Sequence, residues 1–194
     1  VTDYFAGTVD FDPGPGVYNL SSNSTRSLFT MRLKNNGDFS WAKMAGAPTG
    51  LFTGNAIATD TSGNVYTAAE LPSTCDMDPG AAVYNVGGGV AVQKLDSSGN
   101  FAWARSWGAD IPSWIGLDHA GSIYTTGTFS GSNIDFDPGP GVFNLTGANS
   151  GFIVKICQAP VATIPITITP AQYCAGDTVT LSAPAMLGTY KWRK

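Results

Sequence analysis

The chain carries one histidine, three cysteines and only ten lysine and arginine residues against fourteen acidic ones. Each shortage closes off a class of function. Nucleic-acid binding normally needs a basic stripe. Here the net charge is −4 and the basic residues are scattered, so no nucleic-acid partner is expected. Cys75, Cys157 and Cys174 show no CxxC spacing and do not make a zinc pattern. Cys75 reads as a small buried hydrophobe. Cys157 and Cys174 either pair with each other, or Cys174 pairs with something beyond Lys194. No apolar run approaches the roughly 20 residues of a membrane span, so no membrane insertion is expected. Val1-Thr2-Asp3 does not open a signal peptide; mature secreted proteins and interior fragments both begin this way. No apolar stripe at i, i+3, i+4 lasts longer than one turn, so no helix is expected.

What the chain has in quantity is glycine and proline, 24 and 12 residues, set between short apolar runs. Hydrophobic residues make up 43% and charged residues 12%. A core is therefore available, and the low charge argues against disorder. Punctuation of this kind suits many short strands joined by tight turns.

The runs also repeat. DFDPGPGV stands at 10–17 and again at 135–142, with a variant, DMDPGAAV, at 76–83. VYNL, VYNV and VFNL follow the three phrases. SLFTMRLKNNGDFSWAK (27–43) and GVAVQKLDSSGNFAWAR (89–105) align without a gap, and GFIVKI (151–156) continues the set. AIATDTSGNVYTAAE (56–70) aligns with WIGLDHAGSIYTTGT (114–128). The period is near 60 residues, with about four strands per unit. MRL and QKL alternate apolar and polar residues, the period-2 mark of a half-buried strand. NNGD, SSGN, TSGN and HAGS each place Gly after two polar residues, the chemistry of a short hairpin with a left-handed glycine. Asp60 and Asp96 are expected to bond back to their own turns. Four-stranded units of this length predict β-propeller blades with long turns rather than solenoid coils. Closure needs at least four blades, so further repeats are expected upstream. After Cys157 the language changes. The expected organisation is repeats over 1–157 (about two and a half units), a proline-punctuated linker and first strand over 158–170, and an incomplete β-sandwich over 171–194.

FAGTVDFDPGPGVYNL, VAVQKLDSSGNFAWAR and AIATDTSGNVYT resemble the bacterial β-propeller repeats called SBBP-type repeats. YCAGDTVTLSAPAMLGTYKW resembles the opening of an immunoglobulin-like or PKD-like module. The first likeness covers about residues 4–157, the second about 160–194. The resemblance implies an extracellular or cell-surface protein, often exported by type IX secretion. It also implies a scaffold rather than a reaction.

The acidic phrases are the candidate sites. On a strand, Asp10 and Asp12 would face the same way with Phe11 pointing into the core. The same holds for Asp76 and Asp78 around Met77, and for Asp135 and Asp137 around Phe136. Paired carboxylates followed by turn carbonyls suit Ca2+, a hard cation that wants six to eight oxygens. The competing reading has each first Asp capping the turn and each second Asp solvated. A further one pairs the carboxylates with Arg32, Lys94 and Lys155, which share one column of the repeat.

No catalytic residue or cofactor beyond Ca2+ is expected. His119, aligned with Thr61 in a turn, has no nameable nucleophile or acid partner. Carboxylate pairs repeated in every unit suit architecture better than one asymmetric glycosidase site. Trp41 and Trp103 share a column and are expected in the core; Trp114, opposite Ala56, is expected to be exposed. Together these features predict a non-enzymatic repeat scaffold for adhesion or assembly. IPITIT (164–169) is the segment expected to complement a neighbouring subunit in a filament. Glycan recognition by a propeller lectin, or by an accessory domain of a polysaccharide-degrading enzyme, is the alternative.

Overall fold

Hairpins form wherever the sequence places glycine after two polar residues. Gly37, Gly63, Gly99 and Gly121 all adopt positive φ, between 78° and 89°, a conformation that side-chain-bearing residues resist. Each turn is closed by an aspartate or lysine at its start: Gly63 donates to the Asp60 carbonyl, Gly99 to Asp96, Gly121 to Asp118 and Gly37 to Lys34. The expected bonds from Asp60 and Asp96 to their own turns are present as well. Each accepts two backbone N–H groups on one carboxylate oxygen, at 2.8–2.9 Å.

A computed structural model describes residues 1–46, 53–108, 110–158, 167–169 and 180–182. Among these residues the protein is all-β, with antiparallel sheets and no helix. It divides into two compact units, Val1–Gln158 and Ala159–Lys194.

The first unit holds three principal sheets. The second of them is complete relative to the repeat: β4 (Thr53–Thr59), β5 (Val65–Leu71), β8 (Gly89–Leu95) and β9 (Phe101–Trp107) pair in that order. A two-stranded ribbon, β6 (Cys75–Asp76) with β7 (Asn85–Val86), extends from it. The first sheet, β1 (Thr2–Asp10), β2 (Asn19–Leu33) and β3 (Phe39–Ala45), aligns with the last three of those strands. The third, β10 (Ile111–Leu117), β11 (Ile123–Asp135) and β12 (Asn144–Ile156), aligns with the first three.

The core lies between the sheets. Alternate residues point to opposite faces of a strand, so the second sheet has one face toward the first sheet and one toward the third. Leu28 and Ala45 of the first sheet pack with Leu71, Met77 and Ala91 of the second. Val90, Val92 and Trp107 of the second pack with Phe129, Phe136, Phe152 and Val154 of the third. Trp41 is buried between sheets one and two, with Val65 and Leu95, and its indole N–H donates to the Ser97 carbonyl at 3.1 Å. Trp103 is half-buried against the second cluster. Cys75 is buried, and that burial, reinforced by the neighbouring Asp76 charge, pushes its thiol up to about 12.

One pair of junction residues differs in a way that sets a test. At the first junction Thr30 and Thr67 share a buried hydroxyl–hydroxyl bond of 3.2 Å. At the second, Val92 stands in the Thr30 column, and the Thr125 hydroxyl is buried without a partner. An orphaned buried hydroxyl costs about 1–3 kcal/mol. Thr125→Val is therefore expected to raise stability, whereas Thr67→Val, at the equivalent position, is expected to lower it by orphaning Thr30. Urea midpoints of the two variants should move in opposite directions.

In the second unit β13 (Thr167–Thr169) pairs antiparallel with β14 (Thr180–Ser182). Half of the IPITIT segment is thus already paired inside its own unit. Residues 164–166, most of 171–194 and Cys174 lie outside the described residues, and with them the proposed linker, the sandwich and any bond to Cys174.

Candidate functional site

Each acidic phrase forms the tip of a hairpin connecting the second and third strands of its unit. Asp10 ends β1, Asp76 ends β6 and Asp135 ends β11. The three tips are built alike. Asp10 Oδ1 accepts the backbone N–H groups of Asp12 (3.0 Å) and Tyr18 (2.8 Å). Asp76 Oδ1 accepts those of Asp78 (3.0 Å) and Tyr84 (2.8 Å). Asp135 Oδ1 accepts those of Asp137 (3.0 Å) and Phe143 (2.8 Å). The residue between the aspartates reaches back across the loop: Phe11, Met77 and Phe136 each donate an N–H to the carbonyl of Tyr18, Tyr84 and Phe143, all at 2.9 Å.

The second aspartate departs from the sequence expectation. Asp12, Asp78 and Asp137 lie past the end of the strand, and do not share a strand face with the first aspartate. Each accepts the N–H two residues ahead, from Gly14 (2.8 Å), Gly80 (2.7 Å) and Gly139 (2.7 Å). The physical reason is the following proline. It removes an N–H that would otherwise extend the ladder, so the chain leaves the strand and the carboxylate closes the turn instead. Two of the phrases fit tightly further round: a Cβ on Gly16 or Gly141 would lie within 2.3 Å of the Asp12 or Asp137 carboxylate, whereas the middle phrase carries Ala82 in that column. The central residues do point inward, as expected. Phe11, Met77 and Phe136 are all buried.

One carboxylate oxygen of each aspartate is thus committed to backbone donors, leaving the other. Among the described residues no three His, Cys, Asp or Glu side chains gather as a metal group. A calcium site there would draw most of its six to eight oxygens from backbone carbonyls and water. Backbone N–H donors favour the charged carboxylate. Those of Tyr18 and Asp12 hold Asp10 below the ordinary carboxylate value, and those of Phe143 and Asp137 do the same for Asp135.

The hairpin-turn aspartates behave likewise. Burial raises Asp60, but the side chain and backbone of Asn64, the Tyr66 hydroxyl and the Ser62 N–H outweigh it and the net shift is downward. Asn100 lowers Asp96, chiefly through its backbone N–H, and the Ser122 N–H leads in lowering Asp118. A depressed folded-state value stabilises the fold above the unfolded-state value near 3.8 and is lost as pH falls through the folded one. The unfolding midpoint in urea is therefore expected to hold steady down to about pH 5 and to fall between about pH 4 and about pH 2. Asp60→Asn should flatten that fall.

Arg32, Lys94 and Lys155 do not meet the acidic phrases, which corrects the ion-pair expectation. They sit at the opposite end of the third strand, where Arg32 and Lys94 reach forward toward the next sheet and Lys155 stays with its own. Arg32 donates to the Ser97 carbonyl at 2.6 Å and to the Gly63 carbonyl at 3.3 Å, so one guanidinium spans both turns of the second sheet. Lys94 does the equivalent through an intermediary. Its ammonium donates to Gln158 Oε1 at 2.9 Å, and Gln158 Nε2 donates to the Gly121 carbonyl at 2.8 Å and to the Tyr66 hydroxyl at 3.0 Å. Gly121 occupies the Gly63 column. Lys155 lies over the Tyr124 ring at 5.1 Å, as Lys94 lies over Tyr66 at 5.1 Å, and pairs with Asp118 at 3.7 Å.

The same two junctions are tied at the other end as well. The Gly46 N–H donates to the Asp76 carbonyl at 3.2 Å, and the Gly108 N–H, one repeat later, to the Asp135 carbonyl at 2.9 Å. The first aspartate of the phrase thus organises its own turn with its side chain and receives the preceding sheet with its backbone. Sequence reasoning missed both ties, although Gly46 and Gly108 share a column.

His119 is exposed in its turn, and Trp114 is 54% exposed, as expected. No family model, curated protein or solved structure matches the chain.

Proposed function

We propose that the chain is a non-enzymatic extracellular repeat scaffold of β-propeller type, followed by the start of an immunoglobulin-like module, serving surface adhesion or assembly. The observation that carries this reading is the use of the same ties at successive junctions. A basic residue bridges to the turns of the next sheet, and a glycine N–H bonds to the next first aspartate. Side chains that do the same structural task in every unit are what an extendable scaffold needs. In this reading Asp10, Asp12, Asp76, Asp78, Asp135 and Asp137 maintain the turns. A melting temperature unmoved by millimolar calcium is expected, and a clear rise would give them a metal role instead.

Glycan recognition is kept as a second reading on one observation, the exposed ring of Trp114 beside the open groove formed by Ser113, Thr126, Gly151 and Ile153. Aromatic faces of this kind can stack on sugar rings. A glycan array decides between them. Binding abolished by Trp114→Ala supports the lectin, and an array without binding, together with self-association or retention on a cell surface, supports the scaffold.

A further inference from the structure

Of the chain's twelve prolines only Pro13, Pro79 and Pro138 follow an aspartate, and each stands at the tip of a unit. At every tip the aspartate side chain lies back along its own peptide bond. Asp12 Oδ1 accepts from the Gly14 N–H, Asp78 Oδ1 from Gly80 and Asp137 Oδ1 from Gly139, at 2.7–2.8 Å. A bond to the N–H two residues ahead closes a small ring, and the Asp–Pro peptide is part of that ring. The carboxyl group is therefore held beside the carbonyl carbon of its own residue. The backbone of that residue is fixed as well, because Asp10, Asp76 and Asp135 each accept its N–H at 3.0 Å. Asp12, Asp78 and Asp137 are half-buried, so water reaches them.

Proline changes the chemistry of the bond that follows. Its peptide nitrogen carries no hydrogen and departs as a secondary amine, more basic than the primary amine any other residue would release. We infer that the chain cuts itself in acid at Asp12–Pro13, Asp78–Pro79 and Asp137–Pro138. The protonated carboxyl group attacks the carbonyl carbon of its own residue. A C–O bond forms, the C–N bond to proline breaks, and the carboxyl proton passes to the proline nitrogen. A cyclic anhydride remains on the aspartate. Water opens it and leaves the aspartate as a new C-terminus with both carboxyl groups free. One water is consumed, and nothing is oxidised or reduced.

The charges around the tips suit this step. Among the described residues Asp12, Asp78 and Asp137 form no ion pair, so no base holds them ionised as pH falls. The other acid of each phrase is the first aspartate. Asp12 and the residues after it share a cleft with the β2–β3 turn, which brings Asp38 and no lysine, arginine or histidine among its described lining. Asn100 stands in the Asp38 column of the second unit. Each cut also falls between two paired strands. Pieces 13–78 and 79–137 would still share the second sheet through the ladder from Val65↔Leu95 to Leu71↔Gly89. Cutting is a single internal event, and it stands or falls apart from the scaffold reading.

The test is incubation of the purified chain in warm buffer at about pH 4, where most of the acid loss of the fold is still to come. Mass spectrometry should find new C-termini at Asp12, Asp78 and Asp137 and new N-termini at Pro13, Pro79 and Pro138. The same buffer with concentrated urea removes the turn bonds, and cutting there should be about tenfold slower or more, since a positioned group reacts faster than a free one. Asp78→Asn keeps an acceptor for the Gly80 N–H but loses the acid, and should spare its own bond while the other two are cut. Equal or faster cutting in urea would show an ordinary acid-labile bond to which the tip adds nothing, and so overturns the inference. So does an uncut native chain, a set of termini elsewhere, or cutting after position 78 that survives Asp78→Asn.

Discussion

Trp107→Ala is expected to lower stability by about 3–5 kcal/mol, the cost of deleting a large buried aromatic, against a total that for a domain is about 5–15 kcal/mol. Trp107 is buried at the end of β9 and meets Phe152 edge-on in the cluster that joins the second sheet to the third. Its cluster-mates Phe129, Phe136 and Ile123 are themselves buried in place, with only partly buried side chains such as Ile134 and Leu117 at the cluster's edge. The loss should be local in its readout. Hydrogen exchange is expected to quicken in β10–β12 more than in β1–β3, because the first junction depends on a separate cluster of Leu28, Ala45, Leu71 and Met77. A uniform change across all three sheets would show that the junctions do not act separately. Trp107→Phe should cost less than its lost volume implies. The indole N–H is buried without a partner, and removing it relieves a desolvation penalty of about 1–3 kcal/mol.

The difference between Trp107 and its column-mate Ala45 marks where sequence reading succeeds and where it stops. Hairpins were legible because their causes are local: alternation within seven residues, and glycine in a turn that needs positive φ. The inward placement of Phe11, Met77 and Phe136 was legible for the same reason. The partners of Arg32, Lys94 and Lys155 were not. A column assigns a residue to one face of its sheet but does not say which neighbour that face meets. One clue was present. Lys94 lies five residues into β8, so at about 3.3 Å per residue it stands roughly 17 Å from the start of the strand nearest the acidic phrase. It lies only three residues before the Ser-Ser-Gly turn. Lys94 therefore belonged with turns, as the structure shows. Gln158 could not have been found this way, because it lies in the segment after Ile156 where the repeat no longer matches.

Phe136→Ala is the other substitution with a large expected effect, again about 3–5 kcal/mol. It separates two accounts of the acidic phrase. If the phrase mattered through its charges alone, its central residue would be a bystander. The structure places the Phe136 ring 4.8 Å from Phe129 and 5.5 Å from Phe152, inside the cluster shared with the second sheet. Its own N–H meanwhile closes the loop to Phe143. The aspartates on either side hold the backbone so that this ring points inward, and the ring anchors the loop they hold. Phe11→Ala is the internal control. Phe11 has the same flanking aspartates and the same turn bonds, but its cluster lies within the first sheet, among Phe5, Phe29, Met31 and Met44. A site that can collapse costs less to empty, and half-buried Met31 and Met44 are free to move into the space. Phe11→Ala should therefore cost clearly less than Phe136→Ala in matched urea titrations. Equal losses would mean that the phrase stabilises its own loop and contributes nothing to the junction between sheets.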